Sequence, residues 1–129
     1  MKKILLDTNF LLIPYQFKVD IFTQIDKLAA FKYELFILDR TLEELKKIFE
    51  EQKGKDKDAA KIALKLIAIK NIGIIRTKSN KSTDSIILNT ASKDNFIVAT
   101  QDKELRTKLR QKNVPVVALR QKKRVVFLI

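Results

Sequence analysis

Five short apolar runs rich in β-formers alternate with five longer segments of helical period, and this alternation most limits what the chain can fold into. Strands are expected over residues 3–7, 35–38, 72–76, 96–100 and 115–119, and helices over 19–31, 42–52, 56–70, 85–93 and 103–112. Parallel strands cannot be joined by tight hairpins and need crossover connections, which helices supply. The pattern therefore predicts a three-layer α/β/α domain, a central parallel sheet with helices on both faces.

At 129 residues, 46% of them hydrophobic, the chain is long enough for one core and short of the length at which chains divide, so residues 1–129 are expected to form a single domain. No repeat and no Gly/Ser linker interrupts it. The sequence contains no Cys and no His. This excludes disulfides, thiol chemistry, zinc sites of the Cys/His kind and His-based proton transfer. Catalysis would have to run on carboxylates, hydroxyls, Lys or a metal held by oxygen. Only three apolar residues follow the two N-terminal lysines before Asp7, too few for a signal-peptide core, and no uncharged apolar stretch reaches spanning length. A cytoplasmic protein with no membrane association is expected.

In an open parallel sheet, ligands bind beyond the carboxyl ends of the strands, where strand order reverses. At that edge the sequence places Asp7 closing the first strand, Asp84 opening the helix after the third, and Thr100 and Asp102 beyond the fourth. Each has a structural reading. Asp7 can start an Asx-turn. Asp102, in "TQDKEL", can cap the helix that follows it. Asp84 can cap its helix, with Ser82 and Thr83 as rivals, or share the helix face of Ile87, Leu88 and Ala91 and point inward. Glu44 is spaced from Thr41 as a capping box, yet it also borders the apolar stripe of Leu42, Leu45, Ile48 and Phe49 and can reach an internal site, unlike Glu43. Carboxylates gathered on one rim repel one another unless a cation neutralises them, which predicts a bound ion or raised pKa values. All-oxygen ligands select Mg²⁺ or Mn²⁺ over zinc.

Lys and Arg number 27 against 15 acidic residues, a net charge of +12 that attracts phosphate backbones, though a Lys-rich surface also serves solubility alone. Residues suited to an RNA backbone are Lys78 and Lys81 in the loop before Asp84, Arg106 and Arg110 on the last helix, and the cluster Arg120, Lys122, Lys123 and Arg124. Tyr15 and Phe17, near the first Asp, offer stacking faces or core packing. The apolar tail "RVVFLI" is expected to add an edge strand or to be buried between subunits.

The segments "ILLDTNFLL", "TLEELKK", "STDSIILNTA", "IVATQDKEL" and "NVPVVALRQKK", in this order, resemble the PIN-domain nucleases over essentially the whole chain, in an archaeal-type branch similar to VapC toxins and to PIN proteins that process small-subunit ribosomal RNA. The resemblance implies a sheet of order 3-2-1-4-5 and metal-dependent endoribonuclease activity with one or two Mg²⁺ or Mn²⁺ ions. It implies Asp7, Glu44, Asp84 and Asp102 as catalytic and metal-binding residues, and Thr8, Asn9 and Thr100 as groups that orient them. Partners implied are RNA, an antitoxin or a ribosome-assembly factor, and a second copy in a homodimer. The chain departs from many relatives in having Thr83 where a second acidic residue stands, and Gln101 where Asn is commoner.

Two rival readings remain. A noncatalytic RNA-binding factor in ribosome assembly would keep the basic surface and bind metal poorly. A nucleotide-binding or phosphoacceptor domain would also place Asp at strand ends, but with only Gly54 and Gly73 the chain can build neither a dinucleotide fingerprint nor a phosphate-binding glycine loop.

Overall fold

A computed structural model of the chain describes residues 1–128; Ile129, the last residue of the apolar tail, lies outside the described residues. Strands β1 (Lys2–Leu6), β2 (Tyr33–Leu38), β3 (Gly73–Ile75), β4 (Phe96–Ala99), β5 (Val116–Arg120) and β6 (Arg124–Leu128) form one sheet of order β3-β2-β1-β4-β5-β6. The first five run parallel, and β6 pairs antiparallel with β5. The apolar tail is thus an edge strand, turning the expected five-stranded order into six.

Alternation along the strands builds two cores. Ile4, Leu6, Ile37, Ile97, Ala99, Val117 and Leu119 face one way, and Leu5, Leu38, Phe96, Val98 and Val116 face the other. The first set packs on helices α3 (Ile21–Leu28), α4 (Asp39–Glu51) and α5 (Lys55–Ile69), through Ile21, Ile25, Leu45, Ala60 and Ala63. The second packs on α6 (Thr83–Asp94) and α7 (Lys103–Gln111), through Ile86, Ile87, Ala91, Leu105 and Leu109. A period of two in each strand gives every apolar run a partner on both faces, which is why the strands read as unbroken hydrophobic stretches.

Two helical turns were not anticipated. Helices α1 (Thr8–Leu11) and α2 (Ile13–Phe17) follow β1 at once, because Asp7 accepts the Thr8 N–H and starts a helix ahead of the first one expected, at 19–31. Helix α4 begins at Asp39, three residues before the expected start, so Thr41 lies inside it and no capping box forms. On the return side, α5, α6 and α7 each give way to a strand near an Asn in the left-handed region, Asn71, Asn95 and Asn113, with φ of 51°, 57° and 59°. Asn tolerates that conformation better than other non-glycine residues. At Gly73 the need is for space: a Cβ there would lie 2.7 Å from the Phe36 ring.

The strand order reverses between β1 and β4, which are neighbours although three helical crossovers separate them in sequence. The crevice beyond their carboxyl ends is where the acidic residues gather.

Candidate active site

Asp7 leaves the end of β1 beside the end of β4, and its backbone N–H donates to the Ala99 carbonyl at 2.9 Å, continuing the ladder one step past the strand. Its side chain is only 6% exposed. Three groups donate to the carboxylate: the Thr8 N–H at 2.8 Å, the Asn9 side-chain amide at 3.3 Å and the Thr100 hydroxyl at 2.8 Å. Thr100, wholly buried, also accepts the Asp102 N–H at 3.2 Å. Asn9 in turn accepts the Gln101 N–H at 3.0 Å. The three groups expected to orient the acidic residues thus share one network, completed by a 3.3 Å bond from the Thr8 hydroxyl to the buried Thr41.

Asp102 is the N-cap of α7 and accepts the Leu105 N–H at 3.1 Å, so the capping reading holds for one of its oxygens, Oδ1. Asp84 is not a cap. Ser82 takes that role for α6, accepting the Ser85 N–H at 3.2 Å, and leaves Asp84 in the first turn. Nor does Asp84 point into the core: the buried face of α6 is Ile86, Ile87 and Ala91, and Asp84 is solvent-exposed at the helix mouth. Glu44 reaches the same space from α4, accepting the Thr83 hydroxyl at 3.3 Å. Thr83 therefore ties α6 to α4.

The electrostatics join the four carboxylates. Burial pushes the Asp7 carboxyl up, and the charges of Asp84 and Asp102 push the same way against the bonds from Thr100 and Thr8. Loss of hydration also raises Glu44, reinforced by the charge of Asp7 and more weakly by that of Asp84. Asp84 is raised by desolvation and by Asp102, with Lys108 acting against this. Despite the excess of basic residues, the only ion pair within 4.0 Å among the described residues joins Lys108 to Glu104 at 3.4 Å. None of the four rim carboxylates is neutralised by a bound lysine or arginine.

That unneutralised, all-oxygen donor set fits a hard divalent cation. Among the described residues no three acidic side chains lie close enough to grip one ion together. An ion here would be held by one or two carboxylates with water completing its shell, the habit of Mg²⁺.

The β3–α6 loop is fastened to the start of α4 by two residues that the sequence did not single out. Asp39 accepts the Thr77 N–H at 3.0 Å and the Thr77 hydroxyl at 2.7 Å, and the Arg40 guanidinium donates to the carbonyls of Ser79 and Lys81. Hydrogen bonding from the Thr77 backbone holds the Asp39 carboxyl below its ordinary value. The available signal was Asp39-Arg40 at the carboxyl end of β2, on the rim itself. This fastening sets the positions of Lys78 and Lys81, both exposed, and of Asp84, three residues after Lys81. The cluster Arg120, Lys122, Lys123 and Arg124 occupies the β5–β6 turn at the other side of the rim, also exposed. Arg106 is half-buried in the first turns of α7, whereas Arg110 lies near the far end of that helix beside Val114 and Pro115, away from the carboxylates. Tyr15 donates to Asp58 at 3.3 Å and Phe17 packs against the core. Among the described residues no helix is long and apolar enough to cross a membrane.

Comparison with known proteins gives this geometry a family. A family model described as "PIN like domain" matches residues 4–122. Ribonuclease VapC4 of Methanocaldococcus jannaschii is 36% identical over 123 residues, 95% of this chain and 94% of that protein. Ribonuclease VapC9 of Archaeoglobus fulgidus is 34% identical over 120 residues, 92% of this chain and 84% of that one. Among solved structures, the PIN domain endonuclease Utp24 superposes with a TM-score of 0.75 at 24% identity, covering 98% of this chain and 92% of its own. VapBC2 from Rickettsia felis, solved with a DNA fragment from its promoter, gives 0.64 at 18% identity, covering 91% and 98%. These structural likenesses carry the fold, and the sequence matches carry the kinship: the chain belongs to the PIN-like domain family.

Proposed function

We propose that this protein is a Mg²⁺- or Mn²⁺-dependent endoribonuclease of the VapC kind, acting as a toxin with a protein antitoxin as partner. The observation that carries the reading is the rim itself: Asp7, Glu44, Asp84 and Asp102 converge on it from four separate elements, burial and neighbouring negative charge raise the carboxyls of Asp7, Glu44 and Asp84, and no basic side chain is paired to any of the four. The two ribonucleases at 36% and 34% identity supply RNA as the substrate class.

When bound, the ion supplies Lewis acidity, lowering the pKa of a coordinated water and offsetting charge on the scissile phosphate. Of Asp7, Asp84 and Asp102, one or two would hold it directly and the rest through its water. Glu44, engaged by Thr83 through Oε1, would accept a proton from the attacking water. Lys78 and Lys81 on one side and Arg120 to Arg124 on the other would take the RNA backbone.

The rival is a noncatalytic RNA-binding protein on the same fold, and one observation favours it: no three rim carboxylates close on a single ion. Purified protein incubated with single-stranded and structured RNAs, with Mg²⁺, Mn²⁺ or chelator, separates the two. Cleavage that needs the ion and is lost in Asp84→Asn supports the nuclease. RNA binding without cleavage under every condition supports the rival, and cleavage surviving both chelation and Asp84→Asn sinks the metal-dependent site.

A further inference from the structure

The β5–β6 turn is held on both sides by glutamine side chains that act as short pieces of strand. Leu119 and Val125 face each other in the antiparallel register, and their outward backbone groups have no strand beside them. Strand β4 ends at Ala99, and beyond it the Gln101 amide takes over: it accepts the Leu119 N–H at 2.7 Å and donates to the Leu119 carbonyl at 3.4 Å. On the free edge of β6, Gln24 of α3 accepts the Val125 N–H at 2.7 Å and donates to the Lys123 carbonyl at 3.0 Å. One amide offers a donor and an acceptor together, the same pair a neighbouring strand would offer. A third hold comes from Phe17, whose ring lies 5.7 Å from Lys122 Nζ, within cation–π range.

This fastening maintains an unfavourable backbone. Gln121 and Lys122 both have positive φ, 54° and 55°, in residue types that gain nothing from it. The turn presents Arg120, Lys122, Lys123 and Arg124 to solvent. Gln101 is also the residue between Thr100 and Asp102, and its N–H bonds Asn9. The same residue therefore borders the acidic rim and fixes the basic turn, and its extra methylene relative to Asn gives it reach toward Leu119.

We propose that the β5–β6 turn is a rigid phosphate-binding lip for single-stranded RNA crossing the acidic rim, and that Gln101 is the positioning residue that sets the lip's distance from the rim. The choice of RNA rests on the nuclease reading above. A strand lying across the sheet edge from Lys81, past the rim, to Lys123 spans the carboxyl ends of β3 to β5, four strand spacings or about 19 Å. Such a path suits a flexible single strand, whose phosphates the two basic elements would hold on either side of the cleavage point.

The test uses the full chain and a short fluorescent single-stranded RNA, first in chelator so that binding is read without cleavage, then with Mn²⁺ for steady-state kinetics. Lys122→Ser/Lys123→Ser is expected to raise Kd severalfold and to flatten the log–log salt dependence by about 0.7 for each phosphate no longer neutralised. It should raise KM while kcat stays within about twofold, the pattern of weakened substrate binding. Gln101→Ala keeps the backbone bond to Asn9 and should reproduce that KM effect, as should Gln24→Ala, which loosens the lip from the opposite side. An unchanged Kd and salt slope in the lysine variant would overturn the lip. A lower kcat at constant KM in Gln101→Ala, with Gln24→Ala silent, would overturn the positioning role. A wild type that binds RNA through these lysines but cleaves nothing would leave the lip standing and end the nuclease reading.

Discussion

The Thr100 hydroxyl donates to Asp7 Oδ2 at 2.8 Å, joining residues 93 positions apart in the chain. The Thr100 hydroxyl oxygen also accepts the Asp102 N–H at 3.2 Å, so one buried hydroxyl fixes both the carboxylate at the end of β1 and the start of α7. Thr100→Val keeps the shape and removes both bonds, stranding a buried carboxylate oxygen and an N–H. It is expected to cost about 1–3 kcal/mol in urea unfolding and to lower cleavage activity. Thr100→Ser should recover most of both.

Asp7 and Glu44 set a pH dependence whose sign is opposite to that of an ordinary ion-paired carboxylate. In the ion-free protein their folded pKa values lie above the ordinary 3.8 and 4.5, so the folded state binds protons more tightly than the unfolded one. Stability is then greatest below those values and falls as pH rises through them to the higher folded values. Chemical unfolding in chelator across that interval should show the decline. Asp7→Asn, neutral throughout, should make the decline shallower and leave the part that Glu44 contributes. A wild-type curve that rises through the same interval would contradict the assignment.

Divalent ions should reverse that penalty. An ion that binds only the folded chain stabilises by about 2.7 kcal/mol at a hundredfold excess over its Kd. Thermal unfolding with and without Mn²⁺ is expected to show an upward shift in wild type and little or none in Asp84→Asn or Asp7→Asn. Equal shifts in all three would place the ion elsewhere.

Arg40 acts through the loop that it fastens. Arg40→Ala removes the guanidinium from the Ser79 and Lys81 carbonyls while Asp39 still holds Thr77. Hydrogen exchange should accelerate within residues 78–82, with global stability changing by about 1 kcal/mol, typical of a partly exposed side chain. Cleavage should fall, because Lys81 and Asp84 lose their fixed distance from Glu44. Arg40→Lys, a point charge without the planar fork, should rescue only partly.

The three-layer sheet was legible because every β-rich run has apolar residues on both faces and every helix a stripe, and these patterns are local. Asp7 was legible for the same reason: a carboxylate closing an apolar strand stands out in any reading. Glu44 was harder, since its spacing from Thr41 matches a capping box; only the start of α4 at Asp39 removes that explanation. Asp84 lies at the rim as its position after β3 implies and shares the helix face of Ile87 and Ala91, yet it stays exposed because Ser82 caps α6 and leaves Asp84 in the first turn, ahead of the buried residues. Asp39 and Arg40 stood at a strand end, but what they and Gln24 hold was not legible, because their partners lie 38 to 101 positions away.

The sequence by itself determined the five parallel strands, the five main helices and which carboxylates fall at strand ends, since hydrophobic period acts over a few residues. Tertiary structure alone decided how those ends are held to one another. The Thr100–Asp7 bond, the fastening of the β3–α6 loop by Asp39 and Arg40, and the glutamine supports of the β5–β6 turn join segments that meet only when the sheet closes. A hydrogen bond depends on angstrom-scale distance between its partners, and separation along the chain does not encode that distance.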